Sequence, residues 1–244
     1  MIPALREFAR GVRYAVGGFD LVFRPGIRVY AFIPLLINVL LFAGVVIYGA
    51  RLLHDFIHAW LPGAWEWLSW LIWPLFAFIA FTVVFFCFTL VANLVAAPFN
   101  GLLAGAAEAS LTGVNATDSG DMIRLPREIA GAIVSELRKF AYFIVRVIPL
   151  LLLFFLPGLQ FFAPFLWFLF GSWMLALEYL DFPMGNHGIA FPDQRDAARA
   201  ERSLALGFGA GALVLAMIPV INFMAIPVTV CGATRLWLER IRRR

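Results

Sequence analysis

Apolar positions in this chain fall into four long uncharged runs, separated by shorter charged pieces. Val29–Ala50 (22 residues), Trp67–Ala107 (41), Val147–Leu177 (31) and Ser203–Thr234 (32) contain no Asp, Glu, Lys or Arg. A helix needs about 20 apolar residues to cross a hydrocarbon core roughly 30 Å thick. Val29–Ala50 predicts one span, with Pro34 near its start, where a missing N–H does least damage. Trp67–Ala107 is too long for one straight crossing, at roughly 60 Å of continuous helix. Trp67, Trp70 and Trp73 read as an aromatic belt at one interface. Pro98 then interrupts the run, so the pattern predicts a span over about residues 72–97, then a bent or restarted helix carrying Leu102–Leu111.

The third and fourth runs are split near their middles. One reads Leu156-Pro157-Gly158-Leu159-Gln160-Phe161-Phe162-Ala163-Pro164, the other Ile218-Pro219-Val220-Ile221-Asn222-Phe223-Met224-Ala225-Ile226-Pro227. They share Pro, an amide three residues on, Phe, Ala and a second Pro, which reads as a structural repeat. The arms around the prolines run about 10–15 residues, below spanning length and in the range of re-entrant segments. The expectation is two hairpins that enter the membrane and return. Their turn backbone cannot face lipid, so the tips must pack on protein or line water.

Amphipathic pieces lie between. Arg6, Arg10 and Arg13 share one helical face, and Phe8, Val12, Ala15 and Phe19 lie off it, which predicts an interfacial helix along the headgroups. Thr112–Asp121 is a polar turn region, and Pro126 suits the first turn of a helix running to about Arg146. Arginines crowd every inter-run piece except Arg51–Glu66, so positive-inside counting puts all of them but Arg51 in the cytoplasm. The resulting organisation is one membrane domain over residues 1–244. It has an amphipathic helix at 1–24, transmembrane helices at 25–58 and 67–111, an interfacial helix at 124–146, and re-entrant hairpins at 147–180 and 200–240. The fold class is thus an all-α, multi-pass integral membrane protein.

Composition sharpens this. The chain is 63% apolar and 14% charged, against about 25% charged for soluble domains. That excludes an ordinary soluble enzyme, a disordered chain and a nucleic-acid-binding module, despite the net charge of +4. Cys87 and Cys231 both lie inside apolar runs and read as buried apolar side chains, not a disulfide framework. The first 24 residues carry Arg6, Arg10, Arg13, Asp20 and Arg24 and no compact apolar h-region, so no cleavable signal peptide is expected.

Candidate chemistry is sparse. There is no P-loop, HExxH or CxxC, and no cofactor or metal site is expected. His54, Asp55 and His58 read as a wet interfacial helix, and His187 as a loop histidine without a partner. The uncharged runs hold no His either, which argues against a proton relay at depth and permits passive conduction. The most suggestive segment is Arg24-Pro25-Gly26-Ile27-Arg28, just before the first span. A helix start has free N–H groups and a positive dipole end, and two Arg side chains add charge-assisted donors for an oxyanion. The competing reading is positive-inside arginine beside a lipid headgroup. Gln160 and Asn222 at the hairpin tips and Asn100 at the Pro98 bend are candidates for pore lining, with Glu108 at a run edge. Neutral amides would let a hydrated dianion pass without trapping it.

Several segments carry a family resemblance. Arg24-Pro25-Gly26-Ile27-Arg28 with Ile33-Pro34-Leu35-Leu36-Ile37-Asn38, then Ala96-Ala97-Pro98-Phe99-Asn100-Gly101-Leu102-Leu103-Ala104, resemble the CysZ family of bacterial sulfate permeases. So do Leu166–Phe170, Asp181-Phe182-Pro183 with Asn186-His187, and Pro227–Thr234, in order along nearly the whole chain. The resemblance implies sulfate uptake across the inner membrane for cysteine biosynthesis. It also implies two spanning helices with two hemi-penetrating hairpins, and a dimer-based homo-oligomer, with a hexamer as an option. It places sulfate at the Gly-hydrophobic-Arg turn, here Gly26, Ile27 and Arg28. Family members often carry a second Arg next, where this chain has Val29; Arg24 is our substitute for it. Sulfate and membrane lipids are the expected partners. The alternative is a non-transport scaffold or assembly factor that binds lipid phosphates through the same turn.

Overall fold

The computed structural model describes residues 2–60, 69–113, 125–156 and 158–242, and every regular element among them is a helix. In chain order these are α1 Ile2–Gly17, α2 Phe19–Val22, α3 Arg28–Trp60, α4 Ser69–Thr112, α5 Leu125–Leu152, α6 Ala163–Gly185, α7 Phe191–Ala200, α8 Arg202–Met217 and α9 Pro219–Leu236. Two 3₁₀ turns, Leu153–Phe155 and Leu159–Phe162, join α5 to α6, and a π turn, Trp237–Ile241, extends α9. Among the described residues, Arg28–Asp55, Leu159–Gly185 and Pro219–Ile241 are long and apolar enough to cross a membrane.

The chain divides into two compact units, Tyr30–Phe99 and the combination of Met1–Val29 with Asn100–Arg244. In the first, α3 exposes Leu36, Leu40, Val45 and Tyr48 around its circumference. An apolar surface on every side of a helix suits lipid, not water. Pro34 lies inside α3, near its start as expected. The side chains of Cys87, Asn93 and Pro98 fall outside the described residues, as do Trp67 and most of the polar turn at 114–121. Of the bend or restart expected after Pro98, the restart does not occur, because the backbone of α4 is continuous through position 98.

The second unit is organised around glycine. Gly207 and Gly211 stand four apart on α8 and face α1. A Cβ on Gly207 would overlap the Phe8 carbonyl, and one on Gly211 would meet the Ala15 methyl at 2.9 Å. Gly11 on α1 answers them, fitting against Leu204 and Phe208 backbone. Gly209 points the other way, onto the Ser172 carbonyl of α6, and Gly232 of α9 fits against Tyr14. Lipid gives helices no hydrophobic reason to associate, so close packing of small residues has to hold them. The interfacial helix expected at 1–24 therefore needs correction. Its Gly11–Ala15–Gly18 face is buried against α8 and α9, while Arg6, Arg10 and Arg13 stay exposed.

These contacts fix direction. Phe8 meets Gly207 and Ala15 meets Gly211, so α1 runs parallel to α8; Tyr14 meets Gly232 and Gly18 meets Val228, so it opposes α9. Gly171 lies beside Leu213, and Ser172 beside Gly209, so α6 opposes α8. The break before α6 and the break between α8 and α9 therefore lie at the same end. Both follow one rule. Leu156 (φ −98°, ψ 110°) and Ile218 (φ −89°, ψ 111°) precede Pro157 and Pro219, and a residue before proline is driven into extended backbone. The repeat stops there. Gly158, at φ 85°, adds a turn before α6, whereas Pro219 opens α9 directly and Pro227 is buried inside it.

The helices outrun their uncharged blocks. α5 continues past Arg146 and through Pro149 to Leu152, and α6 is 23 residues long, not 10–15. Glu178 and Asp181 thus sit within α6. Lys139, the one lysine, is buried and bonds Asp181 Oδ2 and Glu136 Oε1, each at 2.6 Å. Burial works to lower its pKa, but Asp181 and Glu178 outweigh that and hold it above the ordinary lysine value. Gln194 of α7 donates to the other Asp181 oxygen at 2.6 Å, so one carboxylate ties three helices.

At the opposite end from the breaks, Arg240 bonds Glu7 at 2.9 Å and reaches Glu201, at the sharp α7–α8 bend, at 3.6 Å. Burial would raise the Glu7 carboxyl, but Arg240 and Arg10 together hold it below the usual carboxylate range.

Replacing Gly209 by Val is expected to cost roughly 3 kcal/mol or more, because the obstructing atom is helix backbone that cannot step aside. Gly44→Ala, with nothing within 4 Å, is the control that leaves thermal unfolding in detergent unchanged or slightly raised. Glu7→Gln is expected to lower the melting temperature at pH 7. A depressed folded pKa stabilises above the ordinary Glu value, so this difference should close as pH falls below about 4.

Candidate functional site

The Arg24–Arg28 segment forms a turn whose parts differ sharply in exposure. Ile27 is 1% exposed and plugs into the helical core, while Arg24, Pro25, Gly26 and Arg28 stay outside. Gly26 has φ 89°, a conformation that L side chains avoid, and no atom lies within 4 Å of where its Cβ would be. The turn therefore presents an open patch of backbone, with an exposed arginine on either side of it in the chain. Its N–H groups are not all free, however. The Arg24 carbonyl accepts from Ile27 N–H at 3.1 Å and from Arg28 N–H at 3.2 Å. What α3 offers a ligand is its dipole and the first-turn N–H groups beyond Arg28, which have no partner within the helix. Arg24 also donates from Nη1 to Ser110 Oγ at 3.3 Å, which ties the turn to the C-terminal end of α4. Most of its five donors remain available.

Two residues before Ser110 on α4 lies Glu108, expected at a pore edge. Its side chain is 8% exposed and sits between His187 Nε2 at 2.9 Å and Arg242 Nη1 at 3.0 Å. A buried carboxylate persists only when paired, and these two partners supply that pairing. Trp237 backs both, with its ring centroid 4.5 Å from that of His187 and 5.1 Å from the Arg242 guanidinium carbon. His187 is thus no partnerless loop histidine.

The adjacent Asn186 donates from Nδ2 to the Gly101 carbonyl at 2.8 Å, and its amide also lies close to Gly105. Gly101, Gly105 and Glu108 follow i, i+4, i+7 spacing, so one face of α4 receives the whole turn after α6. That spacing was readable in the sequence; that its partner was the Asn186–His187 turn was not. A cavity of about 450 Å³ opens nearby, lined by Leu111, Thr112, Leu238, Glu239 and Arg242.

The remaining candidates lie apart. Asn100 is half-buried next to Gly101, whereas Gln160 and Asn222 are exposed on the two chain breaks. Asn222 belongs to the first turns of α9, with its N–H bonded to the Ile218 carbonyl at 2.7 Å, so it is a helix residue, not a loop residue. No hydrogen bond among the described residues joins these three amides. His58 lies outside the described side chains, and no group of three or more potential metal ligands occurs among the described residues.

Comparison with known proteins places this arrangement. The family model described as "Sulfate transporter CysZ/Etoposide-induced protein 2.4" matches residues 14–227. A relative from Pectobacterium atrosepticum, named sulfate transporter CysZ, is 42% identical over 236 residues, covering 95% of this chain and 86% of the relative. The match takes in the Arg24–Arg28 turn, the Gly101–Glu108 face and the Asn186–His187 turn that docks on it, and the chain belongs to the sulfate transporter CysZ/etoposide-induced protein 2.4 family.

Proposed function

We propose that this chain is a sulfate permease of the bacterial inner membrane that serves cysteine biosynthesis, conducts passively, and captures sulfate at the Arg24–Arg28 turn. The observation that carries the reading is the open Gly26 backbone held between two exposed arginines by the buried Ile27. A tetrahedral dianion suits that geometry, because paired guanidinium donors and a helix N-terminus add favourable charge without a titrating group. Family membership supports transport over chemistry. Glu108 does not oppose an anion in this reading, because Arg242 pairs with it at 3.0 Å and His187 hydrogen-bonds it at 2.9 Å. Asn100, Gln160 and Asn222 are the neutral amides proposed to line the path.

The two hairpins are proposed to half-penetrate the membrane. Length alone would let Pro219–Ile241 span. Surface argues otherwise. Residues 227–234 of α9 are buried by protein, and the large exposed apolar residues of this hairpin run only from Val214 to Ile226. Eight residues of helix, 219–226, amount to about 12 Å, less than half the hydrocarbon core. The tips carry Phe155, Phe161, Val220 and Phe223, each more than 70% exposed. Turn backbone at such depth needs protein or water around it, which favours a homo-oligomer with the tips at its contacts.

Sulfate uptake by proteoliposomes tests the site. Arg28→Ala should lower uptake about 10- to 100-fold at low sulfate, the loss expected for one or two hydrogen bonds to a charged group. Undiminished flux in this variant removes sulfate from the turn, and no flux in the parent protein removes the permease. For the hairpins, single cysteines at Leu159 and Val147, in a chain lacking Cys87 and Cys231, should never label from opposite faces with a membrane-impermeant thiol reagent. Labelling from opposite faces would turn the first hairpin into a full crossing.

A further inference from the structure

Helix α1 has a third face that neither its packing nor the sulfate site uses. One side, Gly11, Ala15 and Gly18, is buried against α8 and α9. Glu7 and Tyr14 border it and bond Arg240 and Glu239 of the π turn. The rest of the circumference stays exposed and splits lengthwise. One edge is Arg6, Arg10 and Arg13; the other is apolar, with Leu5 71% and Val16 46% exposed and Ala9 between them.

The three arginines are not equivalent. Arg10 Nη1 bonds Glu7 at 2.6 Å, a carboxylate it shares with Arg240. Arg6 and Arg13 have no ion-pair partner among the described residues. They sit seven residues apart, about 10 Å along one helical edge. The glycine contacts fix the stretch of α1 that carries these two arginines, and no carboxylate among the described residues pairs with either. Their level in the unit is also set. Val12 and Ala15 pack on Gly211, one helical turn short of Val214, where the exposed apolar surface of the second hairpin begins.

We infer that α1 is a docking site for anionic phospholipid, with Arg6 and Arg13 on two headgroup phosphates and Val16, level with the start of the hairpin's exposed apolar surface, against the acyl chains. An exposed helix face that is cationic along one edge and apolar along the other complements a headgroup boundary. A second copy of this chain is a poor occupant, because a symmetric contact would set the same uncompensated arginines against each other. This inference does not depend on the sulfate site.

The test extracts the full-length protein from vesicles of phosphatidylcholine and phosphatidylglycerol and counts retained lipid by native mass spectrometry. An Arg6→Gln/Arg13→Gln variant should lose phosphatidylglycerol by roughly 30-fold in affinity, since each basic residue at an anionic surface contributes a factor of about 5. Arg10→Gln should change it less than the double variant does, because the Arg10 guanidinium is already engaged by Glu7. Phosphatidylcholine retention and the melting temperature should be unchanged in all three proteins. Val16→Gln, which leaves the charge intact, should also weaken retention. The inference is overturned if the double arginine variant keeps its phosphatidylglycerol, if both lipids are lost equally, or if Arg10→Gln matches the double variant. Displacement by millimolar inorganic phosphate would show a free-phosphate site instead. Spontaneous cross-linking of an Ala9→Cys variant would show a second copy.

Discussion

The rest of this structure depends on backbone-to-backbone contact where glycine removes the side chains. Gly207, Gly209 and Gly211 alternate their faces along α8, two toward α1 and one toward α6, and Gly232 of α9 closes on Tyr14. Dispersion between closely matched surfaces is the main attraction left in a lipid environment, and it falls off within a fraction of an ångström. The buried hydroxyls follow the same economy. Ser172, Thr229 and Thr234 bond carbonyls four residues back on their own helices, so none requires a partner from across the contact.

On that frame, charge does the local work of fastening. Glu108 is fixed by His187 and Arg242, Asp181 by Lys139 and Gln194, and Glu7 by Arg240. Each cluster joins segments far apart in sequence, and each lies away from the apolar chain breaks. The arrangement leaves one end of the unit wet and ionic and the other dry and aromatic. The Arg24 turn belongs to the ionic end, tied to α4 through Ser110. Two exposed arginines flank the open Gly26 backbone in the chain, and the nearby Glu108 is already paired with Arg242.

Much of this was legible in the sequence. The four uncharged runs announced lipid, the Pro157 and Pro219 signals marked both breaks, and the Pro-Gly turn before α3 identified the open backbone. Proline and charge act locally, so one chain displays them. Helix length was less legible. Arm lengths read from uncharged residues alone were too short, because Glu178 and Asp181 are accommodated inside α6 by a lysine that lies 42 residues from Asp181 in the chain. His187 seemed partnerless for the same reason, since Glu108 is 79 residues away.

The sequence by itself determined an all-helical membrane protein, where its helices break, and which turn leaves its backbone open. Each follows from hydropathy, from proline's effect on the residue before it, or from the freedom of Gly26. Only the tertiary structure decided that α1 is a core helix as well as a surface one, and that Glu108 is buried and paired. Those outcomes rest on contacts between backbones and charges distant in the chain, and no local pattern encodes which glycine face meets which carbonyl.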